Sequence, residues 1–156
     1  MTKKILIALD DSQNAMRAVD FVCKQFIRDS EIELFSVLVD TKSLLTLKSS
    51  DMSDSAGQNA SFLDLENRKK ELIEEALKEG KRRLLDCGFA ADSVVIKTRK
   101  EEKGVARDII TEAENGNADL IVLGKKGLSS IRDFFMGSVT QKVLHGVKEV
   151  SVLVVQ

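Results

Sequence analysis

Five short runs of apolar, mostly β-branched residues punctuate the chain: KKILIAL at 3–9, IELFSVLV at 32–39, SVVIKT at 93–98, DLIVLG at 119–124 and VSVLVV at 150–155. They place apolar residues at consecutive rather than alternate positions, the pattern of parallel strands covered on both faces. Between them the period lengthens to that of a helix. Ala15, Ala18, Val19, Val22 and Phe26 follow the cap oxygens of Asp10, Asp11 and Ser12. Leu65, Leu72, Ala76, Leu77 and Leu84 form a stripe within 62–87, flanked by the i,i+4 pairs Glu74 with Lys78 and Glu79 with Arg83. Ala106, Ile109, Ile110 and Ala113 predict a third helix, stopped at Asn115-Gly116. A fourth over 137–145 turns Val139, Val143 and Leu144 inward and ends at Gly146. Strand and helix alternate four times before a final strand, which predicts an α/β fold: an open, mostly parallel sheet, helices on both faces, right-handed crossovers.

Residues 41–61 break the alternation. They are rich in Ser, Asp, Asn and Gly, interrupted by Leu44, Leu45 and Leu47. A loop of that length reads either as a disordered connection or as a flap carrying the three leucines. Ser49, Ser50, Ser53 and Ser55 read as a solvated acidic-serine stretch, with regulation by phosphorylation as the alternative.

Composition narrows the function. With 156 residues and no Pro-rich or Gly/Ser-rich linker, the chain is expected to form one domain over 1–156. Twenty-four Lys and Arg against 25 Asp and Glu leave a net charge of -1, without the basic field that drives DNA packaging or binding to anionic membranes. The chain has no Trp and no Tyr, so stacking platforms for single-stranded nucleic acid are nearly absent. No nucleic-acid partner and no membrane contact are expected. Cys23 and Cys87 stand 64 positions apart with no CxxC and a single histidine, His145, so no structural zinc set assembles. They read as reduced, buried thiols. No stretch approaches ~18 apolar residues, and the N-terminal run is too short for a signal sequence. The expected address is the cytoplasm.

Ligands of open α/β sheets bind beyond the carboxyl ends of the strands, where the strand order reverses. Two loops stand out there. The first is Ala8-Leu9-Asp10-Asp11-Ser12, in which Asp10 reads either as an acceptor for a ribose or base or as a helix N-cap. The second is LGKKGLSSIRDFFMGSVTQK, with Gly124, Gly127 and, nine residues on, Gly137-Ser138. Glycines admit positive φ and let a phosphate approach bare N–H groups. Gly137, Ser138, Val139 and Thr140 open the last helix, whose free N–H groups and dipole suit an anion. Ser138 and Thr140 add hydroxyls, and Lys125 and Lys126 add charge, so a diphosphate or triphosphate is the natural guest. The GxxxxGK[ST] spacing and the GxGxxG turn are both absent. The plainer reading, glycines that only end a strand and enter a helix, stands beside this one.

On these residues the chain resembles a small single-domain universal stress protein of the ATP-binding type. The likeness runs from the first strand to the last and rests on G-x-x-G, nine residues, G-[ST] from Gly124 to Ser138 and on D-x-S from Asp10 to Ser12. It implies a Rossmann-like, five-stranded parallel sheet of order 3-2-1-4-5, with ATP and Mg at the ends of strands 1 and 4. Asp10 would bind ribose, Ala8, Val37 and Leu123 would line the adenine site, and Gly124, Gly127, Gly137, Ser138 and Val139 would surround the phosphates. Ala8 departs from the Pro or Val of many members, Ser151 from the Pro that commonly opens the last strand, and TRKEEKGVARD from the usual short Gly-x-Pro turn.

Catalysis has less support. Asp10, Asp11, Asp133, Ser129 and Ser130 form no recognisable triad or carboxylate pair, so at most slow ATP hydrolysis is expected of a regulatory, stress-response protein. ALDDSQ lacks both glycines of the SGGxDS-like loop of adenylating synthetases, and His145 reads as structural near a helix end. The last strand has no Pro and no charge to protect a sheet edge, which points to a homodimer paired through 150–155. An interaction module that needs no nucleotide is the alternative reading.

Overall fold

The computed structural model describes residues 3–39, 55–125 and 136–156. Five strands, β1 (Lys4–Ala8), β2 (Glu31–Leu38), β3 (Val94–Lys100), β4 (Leu120–Gly124) and β5 (Ser151–Val155), form one parallel sheet in the order β3-β2-β1-β4-β5. This is the α/β architecture and strand order expected from the sequence. The crossovers carry four helices, α1 (Gln13–Gln25), α2 (Ser55–Asp86), α3 (Val105–Asn115) and α4 (Ser138–Gly146).

Strand alternation divides the core in two. Ile5, Ile7, Ile32, Leu34, Val94 and Val122 point to the face covered by α1 and α2. Leu6, Phe35, Val37, Ile121 and Leu123 point to the face covered by α3 and α4. Each fully buried aliphatic side chain contributes about 1.5–3 kcal/mol relative to exposure. The buried side of α2 is Ile73, Leu77 and Leu84, whereas Leu65 and Leu72 of the expected stripe face solvent, as does Leu144 of α4.

Helix ends follow local chemistry. Ser12 Oγ caps α1 by accepting from Ala15 N at 3.3 Å, and the Arg28 guanidinium closes the other end by donating to the carbonyls of Cys23 and Phe26. Gly88 takes φ +103° just past α2, where Phe89 N returns to Leu84 O at 3.0 Å. At the end of α3 the left-handed residue is Asn117, φ 52°, while Gly116 stays right-handed. The Glu79–Arg83 pair forms at 2.7 Å, but Glu74 approaches Lys70 rather than Lys78.

Two expectations are corrected. Residues 55–61 are helical, because α2 starts well before the apolar stripe does. Extending an established helix costs far less than nucleating one, so polar residues continue it. The rest of the expected loop, including Leu44, Leu45, Leu47, Ser49, Ser50 and Ser53, lies outside the described residues. Cys23 and Cys87 are not two separate thiols: their Cα atoms lie 5.9 Å apart and the sulfurs are joined in a disulfide. Their sequence separation carried no sign of this, because the pairing arises where α1 and α2 end side by side.

Under α3 lies a charged cluster. Glu112, 2% exposed, pairs with Lys97 and with Arg99 of β3, the latter at 3.0 Å, and Glu33 of β2 stands beside them. The Glu33 carboxyl is raised above its ordinary 4.5, first by burial and then by the Glu112 carboxylate, against the pull of Lys97 and Lys4. The fold therefore favours protonated Glu33, and that stability is lost as pH rises through the elevated value. Glu33→Gln is expected to melt at a higher temperature than the wild type at neutral pH, with the gap closing below about pH 4.5. A gap that does not change with pH in thermal melts would contradict this.

Candidate functional site

The strand order reverses between β1 and β4, and a cavity of about 320 Å³ opens at their carboxyl ends. Residues from all four crossovers line it. Eight of the nine residues expected to bind a nucleotide, Ala8, Asp10, Val37, Leu123, Gly124, Gly137, Ser138 and Val139, are brought together around this one space. Gly127 lies outside the described residues, as do Lys126, Ser129, Ser130 and Asp133.

On the β1 side, Leu9 N donates to Phe35 O at 2.8 Å and carries the β1–β2 pairing to the rim. Asp10 Oδ1 then accepts from Ser12 N at 3.0 Å and from Ser12 Oγ at 2.5 Å. This settles its part in the helix entry. Ser12 is the N-cap, and Asp10 holds the cap in place through an Asx-type turn. Among the described residues no donor reaches Asp10 Oδ2. Asp11, also on the lining, has a buried Oδ1 with no hydrogen-bond partner among them.

On the β4 side, Gly137 is the N-cap of α4, and the first intrahelical bond runs from Gln141 N to Gly137 O at 3.0 Å. The N–H groups of Ser138, Val139 and Thr140 therefore have no partner within the helix, and they gather at the positive end of its dipole. Two sequence assignments change here. Gly137 N is not free: it donates to Lys125 O at 2.9 Å, and Lys125 N donates in turn to Val155 O at 2.7 Å. The Thr140 hydroxyl is not a ligand donor either, because it is buried and donates to Gly124 O at 3.0 Å, tying α4 to the end of β4. Gly137 has φ -64°, open to any residue, so its backbone conformation does not itself call for glycine. Lys125 is not among the residues lining the cavity.

Several lining residues escaped the sequence reading: Phe35, Ser36 and Val39 from β2 and its end, Lys69 and Ile73 from α2, Val105 and Ile109 from α3. The β2 residues were recoverable, since β2 pairs with β1 and its carboxyl end must reach the same rim. Lys69 carried no local signal, because only the path of α2 across the sheet brings it to the cavity.

The universal stress protein family profile matches residues 1–156. The chain is 30% identical over 154 residues to universal stress protein MJ0577 of Methanocaldococcus jannaschii, covering 92% of this chain and 89% of that one. A solved structure of MJ0577 superposes with a TM-score of 0.73 at 24% identity, covering 99% and 96% of the two chains. A universal stress protein in complex with cAMP gives 0.64 at 21% identity over 99% and 97%. A universal stress protein family protein of Arabidopsis thaliana with AMP bound gives 0.65 at 17% identity over 98% and 90%. These structural likenesses speak to the fold.

The Thr140–Gly124 bond makes a local prediction. Thr140→Val keeps the shape and leaves the Gly124 carbonyl without its donor, so a loss of about 1–3 kcal/mol in urea unfolding is expected. An unchanged unfolding midpoint would show that the tie carries no stability.

Proposed function

The chain belongs to the universal stress protein family, and we propose that it binds ATP, with Mg, at the carboxyl ends of β1 and β4 as a regulatory, stress-response protein. The observation that carries this reading is the cavity that joins Asp10, an aliphatic wall and the three N–H groups that α4 leaves unbonded in its first turn. Its volume falls in the range of small-ligand pockets, roughly 300–1,000 Å³. Relatives of the same fold have cAMP and AMP bound. In this reading Asp10 Oδ2 accepts from the ribose, and Ala8, Val37 and Leu123 flank the adenine. Gly124, Gly127, Gly137, Ser138 and Val139 surround the phosphates, and Lys69 supplies a cation from α2.

Mg would be held chiefly by the phosphates and water, since it commonly takes only one or two protein carboxylates. The orphaned Asp11 Oδ1 is an oxygen ligand of the right kind. Among the described residues no three His, Cys, Asp or Glu side chains gather to hold a metal alone. A bound metal ion would neutralise phosphate charge. In this reading the residues of the chain bind and orient the nucleotide without a positioned base, so turnover is slow. A cytoplasmic address belongs to the same proposal, with Cys23–Cys87 then facing a reducing poise.

Calorimetric titration tests the site. Magnesium-ATP is expected to bind the wild type, with affinity reduced roughly 10- to 100-fold by Asp10→Ala and lost in Gly137→Val. No heat of binding at millimolar nucleotide, and no adenine nucleotide in the mass spectrum of the denatured protein, would reject it.

A second reading, the homodimer, rests on β5. It is the last strand of the sheet, its Val152, Leu153 and Val154 are half-buried, and among the described residues no strand pairs with its outer edge. Pairing with a twofold-related copy would cover that edge. Light scattering at micromolar concentration is expected to give twice the chain mass, and a monomer mass would exclude this arrangement.

A further inference from the structure

α3 and α4 pack against each other on one face of the sheet, and on their solvent side they leave a groove of about 720 Å³ that shares only Val105 and Val139 with the cavity above. It runs from the β3–α3 loop at Glu101 to Lys148 beyond α4. We propose that this groove docks an acidic peptide segment of a partner protein, with apolar residues interspersed among its carboxylates. The inference stands on charge and shape and does not require that the nucleotide reading be correct.

Four exposed cations, Lys103, Arg107, Lys142 and Lys148, line the groove against two carboxylates, Glu101 and Glu114. Among the described residues none of these four side chains forms an ion pair or hydrogen bond, so all four head groups can be reached by a ligand. In a chain with 25 acidic residues and a net charge of -1, four cations against two carboxylates leave this groove a local excess of two positive charges. The floor is different. Ala106 and Ile110 are nearly buried, with Val105 and Val139 half-buried beside them. Gly146 lets the end of α4 lie directly on Ile110, since a Cβ there would stand 2.8 Å from Ile110 Cδ1.

A cationic rim over an apolar floor fits an extended peptide. Alternate side chains of an extended segment can reach up to the rim and down to the floor. Charge-assisted bonds from Arg and Lys to carboxylates supply the recognition. The nine residues of α4 span about 13 Å, room for roughly four extended residues. A polynucleotide fits poorly. Its unbroken phosphates would run onto Glu101 and Glu114, and among the described residues no aromatic ring larger than the His145 imidazole lines the groove to stack a base.

Fluorescence anisotropy with the full chain tests this, using a short fluorescein-labelled peptide of Glu-Leu-Asp repeats. The controls are the Gln-Leu-Asn peptide of equal length and a single-stranded oligodeoxynucleotide. The acidic peptide is expected to bind about tenfold more tightly than the neutral one and to weaken as salt rises. The double charge reversal Arg107→Glu with Lys142→Glu should weaken it about tenfold while the circular dichroism spectrum and melting cooperativity match the wild type. If that variant fails to fold, Lys103→Ala with Lys148→Ala gives the same readout by neutralisation. Equal affinity for the acidic and neutral peptides, tighter binding of the oligonucleotide, or unchanged affinity in a folded variant would each overturn the proposal.

Discussion

β1 is hydrogen-bonded along both edges and covered on both faces, and the rest of the molecule is arranged by that double constraint. Ile5, Leu6 and Ile7 are all within 2% of complete burial, so neither face can be left to water. A strand paired in parallel on both sides needs crossovers to supply its neighbours, and the sheet grows from β1 to β3 in one direction and from β4 to β5 in the other, with α1 and α2 on one face and α3 and α4 on the other. The chains leaving β1 and β4 therefore diverge. The cavity is the space left between them, so burial of the central strand and the existence of the cavity have one geometric origin.

Within that frame α4 has an unusual number of obligations for a short helix. Its first turn is tied to β4 through Thr140 and, through Gly137 and Lys125, to the end of β5. These ties satisfy backbone groups that would otherwise be stranded at a buried helix entry, and they hold the N–H groups of the first turn in a fixed position. Val139 faces the cavity on one side and the α3–α4 groove on the other, so the two surfaces share a wall.

How much could be read from the sequence depended on whether a residue's role was local. Consecutive apolar residues identified the strands because burial on both faces writes itself into neighbouring positions. Gly124, Gly137, Ser138 and Asp10 were legible as residues that meet at the cavity for a related reason: helix entry and strand exit leave marks within a few residues. Ser55 to Ser61 showed nothing, because a helix extended by polar residues has no stripe. Thr140 differs from its expected role because a hydroxyl in the first turn of a helix looks the same in sequence whether it serves a ligand or a carbonyl of the adjoining strand. Lys69 and the Cys23–Cys87 pair were invisible since both depend on where α2 lies after crossing the sheet.

The disulfide joins the end of α1 to the end of α2 and closes a covalent ring that contains all of β2. Cutting any single peptide bond between Cys23 and Cys87 therefore opens the ring but leaves one molecule. Val37 travels with one piece or the other according to where the cut falls. Lys69 and Ile73 either stay on the piece that carries Asp10 or remain joined to it through Cys87. Limited proteolysis within this stretch would nick the protein without separating the walls of its cavity, and the fragments would part only after reduction and unfolding.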